Sequence, residues 1–129
     1  MRARRIALHE SGQEGTGTGT GDEFSVKDLT MLMVGVSLTD YNGTAGFTCW
    51  LEGSTDGGDT WFDLAGKRSG SPDLEVPGSQ VFDRDIMDDQ TTLVNDKVTI
   101  IDHLPADRIR LRWVVNGTDA TFACNAVGR

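Results

Sequence analysis

Phe47-Thr-Cys-Trp-Leu-Glu-Gly-Ser-Thr-Asp-Gly-Gly-Asp-Thr-Trp-Phe-Asp-Leu64 reads as two short strands reversed around an acidic, glycine-rich turn. Phe47, Cys49 and Leu51 alternate with Thr48, Trp50 and Glu52, the two-residue period of a half-buried strand. Gly57 and Gly58 take positive φ without steric cost, and Asp56 can accept hydrogen bonds from nearby backbone N–H groups. Trp61 follows at once and can fold its ring over the turn. The stretch reads as a self-contained folding unit rather than a place of chemistry.

Working outward, Leu29 to Leu38 is the most apolar strand, with Leu32, Val34, Val36 and Leu38 on one face and Met31 and Met33 on the other. Asn42-Gly43 is the strongest short-range hairpin signal, and it predicts that this strand pairs with Phe47–Leu51. With Thr60–Leu64 the result is a three-stranded meander. Further on, Ile109, Leu111, Trp113 and Val115 alternate with Arg108, Arg110 and Arg112, and Asn116-Gly117 predicts another hairpin, into a last strand with Phe122, Cys124 and Ala126. Val98–Ile101 is a strand ended by the Pro105 break. No stretch has a helical period. The expected architecture is all-β, a single β-sandwich or jelly roll of about 7–8 antiparallel strands.

Two segments stand apart. Residues 1–22 read as a flexible N-terminal arm and linker: residues 2–9 can form a strand, but Ser11–Gly21 is Gly/Thr-rich and too poor in apolar groups to pack a core alone. No Gly-Lys-Ser/Thr follows it, so it is not a phosphate loop. The sandwich domain then occupies 23–129. Inside it, Ala65–Asp96 carries two of the three prolines and only brief apolar islands at Val81-Phe82 and Ile86-Met87, which predicts one long loop.

The chain has 129 residues, enough for one core, and a formal net charge of −8. That balance argues against a nucleic-acid partner, since phosphates repel carboxylates. No run reaches transmembrane length, and the basic start is cut short after Ile6-Ala7-Leu8 by His9-Glu10, so neither a membrane nor export is expected. Cys49 and Cys124 lie in apolar strand-like runs as small buried hydrophobes, with a disulfide as the other reading.

Catalysis has no positive support, and no cofactor or metal is expected. His9 and His103 are the only histidines, the second in an Asp102-His103-Leu104-Pro105 turn. Asp83, Asp85, Asp88 and Asp89 form an acidic run that lacks the spacing of a calcium loop. Twenty Asp and Glu make some pair at glycosidase spacing inevitable. Arg108, Arg110 and Arg112 repel one another on one strand face, so they need water, local carboxylates or a subunit contact. Arg2, Arg4 and Arg5 contrast with the acidic remainder and read either as a solvated terminus or as an arm that lies on an acidic neighbour.

Ser54, Asp56, Gly58, Thr60 and Trp61 match the Asp-box pattern S-x-D-x-G-x-T-W, which resembles the structural hairpin of sialidase-type propellers. One copy in so short a chain carries no sialidase activity with it. Across roughly residues 15–129, the Gly/Thr lead, the Asn-Gly-Thr turn, Leu51–Trp61 and Arg108–Gly117 resemble the small β-sandwich virion proteins of tailed bacteriophages, which include capsid decoration (cement) proteins. The resemblance implies a homotrimer, made in the host cytoplasm, that sits on the capsid surface and clamps the major capsid protein. Arg2, Arg4 and Arg5 would then contact the capsid, and Arg108, Arg110 and Arg112 would serve trimer or capsid contacts. Two other classes compete: a carbohydrate-binding or adhesion sandwich using Tyr41, Trp50 and Trp61, and a head–tail connector or tail component.

Overall fold

One strand of 21 residues, β10 (Arg108–Gly128), is the spine of the molecule. The computed structural model describes residues 3–68 and 82–129. Along one edge of β10 runs β1 (Arg4–Thr20), paired from Arg4–Gly128 to Thr20–Arg112, with the short β2 (Phe24–Ser25) continuing that edge to Arg108. The other edge is shared. β3 (Leu32–Asn42) takes Asp119–Gly128, and β4 (Phe47–Ser54) takes Arg108–Val115.

Two wings grow from this fork. β4 pairs with β5 (Phe62–Leu64) and β8 (Asp85–Gln90). β3 pairs with β9 (Val94–Ile101), β9 with β6 (Gly66–Arg68), and β6 with β7 (Phe82–Asp83). Among the described residues every element is a strand and every pairing antiparallel, as the all-β expectation requires. The layers of the expected sandwich are the wings of one nearly closed, barrel-like sheet.

The core is built by alternation. Val34, Val36 and Leu38 of β3, Phe47, Cys49 and Leu51 of β4, and the inward side chains of β10 form one buried cluster. Phe122 is the hub, 4.6 Å from Phe47 and 5.4 Å from Trp113, centroid to centroid. Each such aromatic pair adds about 0.5–1.5 kcal/mol beyond its buried area.

Both Asn-Gly pairs depart from the sequence reading. β3 and β4 are not paired with each other; each pairs with β10, so Asn42-Gly43 carries the chain from one wing to the other. Asn116-Gly117 makes no hairpin and lies within β10. The inward residues of β10 change there from odd (Ile109, Leu111, Trp113, Val115) to even numbers (Ala120, Phe122, Cys124, Ala126). The pairing is irregular at the same place, where β10 takes four steps from Val115 to Asp119 while β1 takes two, from Gly17 to Gly15. The two Asn-Gly pairs meet at this crossing. A Cβ on Gly43 would lie 2.7 Å from Gly117 Cα, and one on Gly117 would lie 2.5 Å from the Asn42 carbonyl, so backbone contact rather than turn geometry demands glycine.

The arm-and-linker reading of residues 1–22 also gives way, because Arg4–Thr20 is a strand of the sheet. Its Gly/Thr half needs no core of its own. It lies on the Trp113 ring, which occupies the space where a Cβ of Gly19 would stand. The long-loop reading of 65–96 is corrected in part, since β6, β7, β8 and the start of β9 fall there, while 69–81, including Val81, lie outside the described residues. Ile86 and Met87 are adjacent and both buried, because the register of β8 against β4 shifts at Cys49.

Gly15 and Gly19 give a matched test of this packing. A Cβ at Gly15 meets nothing within 4 Å. Gly19→Ala is expected to lower stability by about 1–3 kcal/mol through overpacking on Trp113, with Gly15→Ala close to neutral. Urea denaturation followed by tryptophan fluorescence measures both, and equal effects would remove Trp113 from the explanation.

Candidate functional site

The turn Thr55–Trp61 is closed by two side chains. Ser54, fully buried at the end of β4, donates its hydroxyl to Asp56 Oδ1 at 2.8 Å and accepts from Gly58 N at 2.9 Å. Asp56 Oδ1 also accepts from the backbone N–H groups of Asp59 (3.0 Å) and Thr60 (2.8 Å). The Thr60 N–H above all, then the Ser54 and Thr60 hydroxyls, hold the Asp56 carboxyl down at about 2 against an ordinary 3.8. Gly57 and Gly58 adopt φ of 77° and 103°. Trp61 Nε1 donates to the Gly58 carbonyl at 3.0 Å, which lays the indole over the turn.

The arginine row runs along the outer face of β10 beside this hairpin. Arg110 donates to Glu52, its cross-strand partner, at 2.8 Å and stacks over Trp61 at 4.0 Å. Arg108 reaches Glu23 at 3.5 Å. Arg112 lies between Trp50 of β4 and Thr20 of β1, and its buried Nε has no hydrogen-bond partner among the described residues. Trp50 is covered in the same way, with Arg84 over its ring at 4.2 Å and its Nε1 donating to Asp63 at 3.1 Å. Arg84 is held in turn by Asp85 and Asp63. The outer face of this wing is thus a stacked set of alternating charges and indoles, matched mainly within the chain.

The aromatic residues that a sugar platform would use are engaged. Trp50 is 8% exposed. Trp61 carries Arg110. The Tyr41 hydroxyl donates to the Asn116 carbonyl and accepts from Gly46 N at the wing crossing. Of the N-terminal arginines, Arg4 reaches Asp28 at 3.2 Å and the Ser25 carbonyl, Arg5 is exposed on the outer face opposite Val127, and Arg2 lies outside the described residues.

His9 is a residue whose place sequence reasoning missed. Bulges on both sides of it turn its ring inward, where it stacks on Phe122 at 4.0 Å and meets the Trp113 edge at 5.1 Å. Its Nδ1 lies 3.1 Å from the Phe122 carbonyl and its Nε2 3.5 Å from Glu14. It borders a cleft of about 620 Å³ that also touches Glu10, Asp22 and Phe24. His103 sits in its turn with φ of 53°. Cys49 and Cys124 are buried, and burial pushes the Cys124 thiol well above its ordinary range. Of the acidic run, Asp85 holds Arg84, while the Asp89 N–H donates to Thr48. Among the described residues no three His, Cys, Asp or Glu side chains converge as metal ligands, and no helix is long and apolar enough to cross a membrane.

No protein-family model matches the chain, and no curated protein matches it in sequence. Among solved structures, one described as the SPBc2 prophage-derived protein YomS matches 98% of this chain and 94% of its own, with a TM-score of 0.60 and 15% sequence identity. At that identity the likeness is one of fold.

Two predictions follow from the hairpin and its arginine. The stabilisation from Asp56 is complete above its unfolded value near 3.8 and is lost as pH falls through about 2. Wild type should therefore lose more thermal stability between pH 4 and pH 2 than Asp56→Ala does. Parallel losses in the two proteins would contradict the depressed carboxyl. Separately, a double-mutant cycle of Glu52→Gln with Arg110→Met should return a coupling of about 1–3 kcal/mol, because both side chains are largely shielded from water. A coupling near zero would show that Trp61 alone holds Arg110.

Proposed function

We propose that the chain is a structural component of a bacteriophage particle, a capsid decoration protein that seats on the assembled shell across boundaries of the major capsid protein. The observation that carries this reading is the likeness of shape, along nearly the whole chain, to a prophage-derived protein. The resemblance of the Asn-Gly-Thr turn, the Asp-box hairpin and the arginine strand to small virion sandwiches supports it independently. So does the way the molecule uses its polar chemistry: Arg110, Glu52, Arg84, Asp63 and Asp56 are spent on holding strands and a turn together.

A decoration protein gains binding energy only where neighbouring capsid subunits are already adjacent, and so it stabilises the assembled state by linkage. A net charge of −8 keeps such a protein soluble until it meets that surface.

Fractionation of phage particles into heads and tails, followed by mass spectrometry, tests the assignment. The chain is expected with the heads, and the purified protein should co-sediment with assembled shells but not with unassembled capsid subunits. Recovery with tails would move it to the tail or connector class. Absence from particles would overturn a virion role.

A further inference from the structure

The outer face of the other wing differs from the arginine face. Its strands β1, β10, β3 and β9 align Arg5, Val127, Met33 and Ile100 in one cross-strand row, and Ala7, Asn125, Gly35 and Val98 in the next. Met33 is 46% exposed and Val127 39%, two of the few large apolar side chains that face water. Beside this ridge lies a hollow of about 400 Å³, bordered by Gly35, Val98, Asn125 and Asp96. The Asp96 carboxylate lies over Gly35, so it belongs to this face too.

We infer that this face is a self-association surface and that its occupant is the same face of a second copy of the chain. The charges select that occupant. Arg5 on β1 and Asp96 on β9 stand at opposite corners, with apolar and small residues between them. A two-fold axis lying in the plane of the face brings Arg5 of each copy toward Asp96 of the other and sets the Met33–Val127 ridge of each against the partner's face near Val98. An isologous contact needs this self-complementarity, in which every residue that gives on one copy receives on the other. The small residues Ala7, Gly35 and Asn125 leave room for two sheets at the ordinary spacing of about 10 Å. An unrelated acidic or basic partner would leave one of the two corner charges facing its like. A two-fold contact closes at two copies, so the unit it forms is a dimer in place of the trimer that the family resemblance implies.

Sedimentation velocity over a wide range of concentrations, on the full chain, tests the inference. Wild type is expected to shift reversibly from monomer to dimer as concentration rises. The paired substitution Met33→Asp with Val127→Asp should remain monomeric with its melting temperature in dilute solution nearly unchanged, because both side chains point outward. Arg5→Asp and Asp96→Arg should each weaken the dimer about tenfold, and the two together should restore it, a rescue that a folding defect could not produce. A wild type that stays monomeric at millimolar concentration would overturn the inference. So would a trimer, or a dimer indifferent to Met33, Val127 and the charge exchange.

Discussion

The backbone hydrogen bonding of β10 is the constraint on which the rest of this structure depends. A strand has two edges, and a β-sheet protein must find a partner for the N–H and C=O groups along both. β10 finds one continuous partner in β1 and two successive partners in β4 and β3. The fork between those two gives the molecule its wings and its enclosed core. The phase change at Asn116–Asp119 lets a single strand present an inward face to each wing in turn. Without it, either Trp113 or Phe122 would point to solvent.

The two wings use their outer faces differently. On the β4 wing, three successive outward positions of β10 are arginines, and the surrounding residues are carboxylates and indoles: Glu52, Glu23, Trp61 and, around Arg84, Asp63 and Trp50. Apart from Arg112, whose Nε has no partner among the described residues, that face is closed chemistry, since groups already paired gain little by exchanging one partner for another. On the β3 wing the outward row Val127, Met33 and Ile100 is apolar, and the next, Ala7, Asn125, Gly35 and Val98, is uncharged, with Arg5 on β1 and Asp96 on β9 to either side. The contrast divides the surface into a part that holds the fold together and a part with unspent apolar area.

What was legible in the sequence was whatever local alternation and local turns encode. The period of two along Leu32–Leu38, Phe47–Leu51 and Arg108–Val115 identified the inward residues, because burial on one face forces that period. The Ser54–Trp61 hairpin was legible because its contacts span only a few residues. Partner choice was not. Asn42-Gly43 and Asn116-Gly117 carry a strong hairpin signal, yet the same dipeptide also suits a close backbone crossing, and only the tertiary contact decides between them. The Gly/Thr run gave no apolar signal because its stabilisation comes from backbone pairing and from the Trp113 ring on Gly19. His9 and Ile86-Met87 were hidden by bulges, which shift the period on which the reading relies.

The pairing of Arg4 with Gly128 has a consequence for how the protein comes into being. The strand of the sheet that is synthesised first must wait for the strand that is synthesised last. Until β10 is complete, β1, β3 and β4 have no common partner, and three of the longest strands stand with unsatisfied edges. Folding that depends on contacts so distant in sequence is slow, and a nascent chain in that condition is open to pairing with its neighbours. Acidity then acts in biogenesis as well as in the finished protein, since mutual repulsion among chains of like charge holds them apart until the spine arrives.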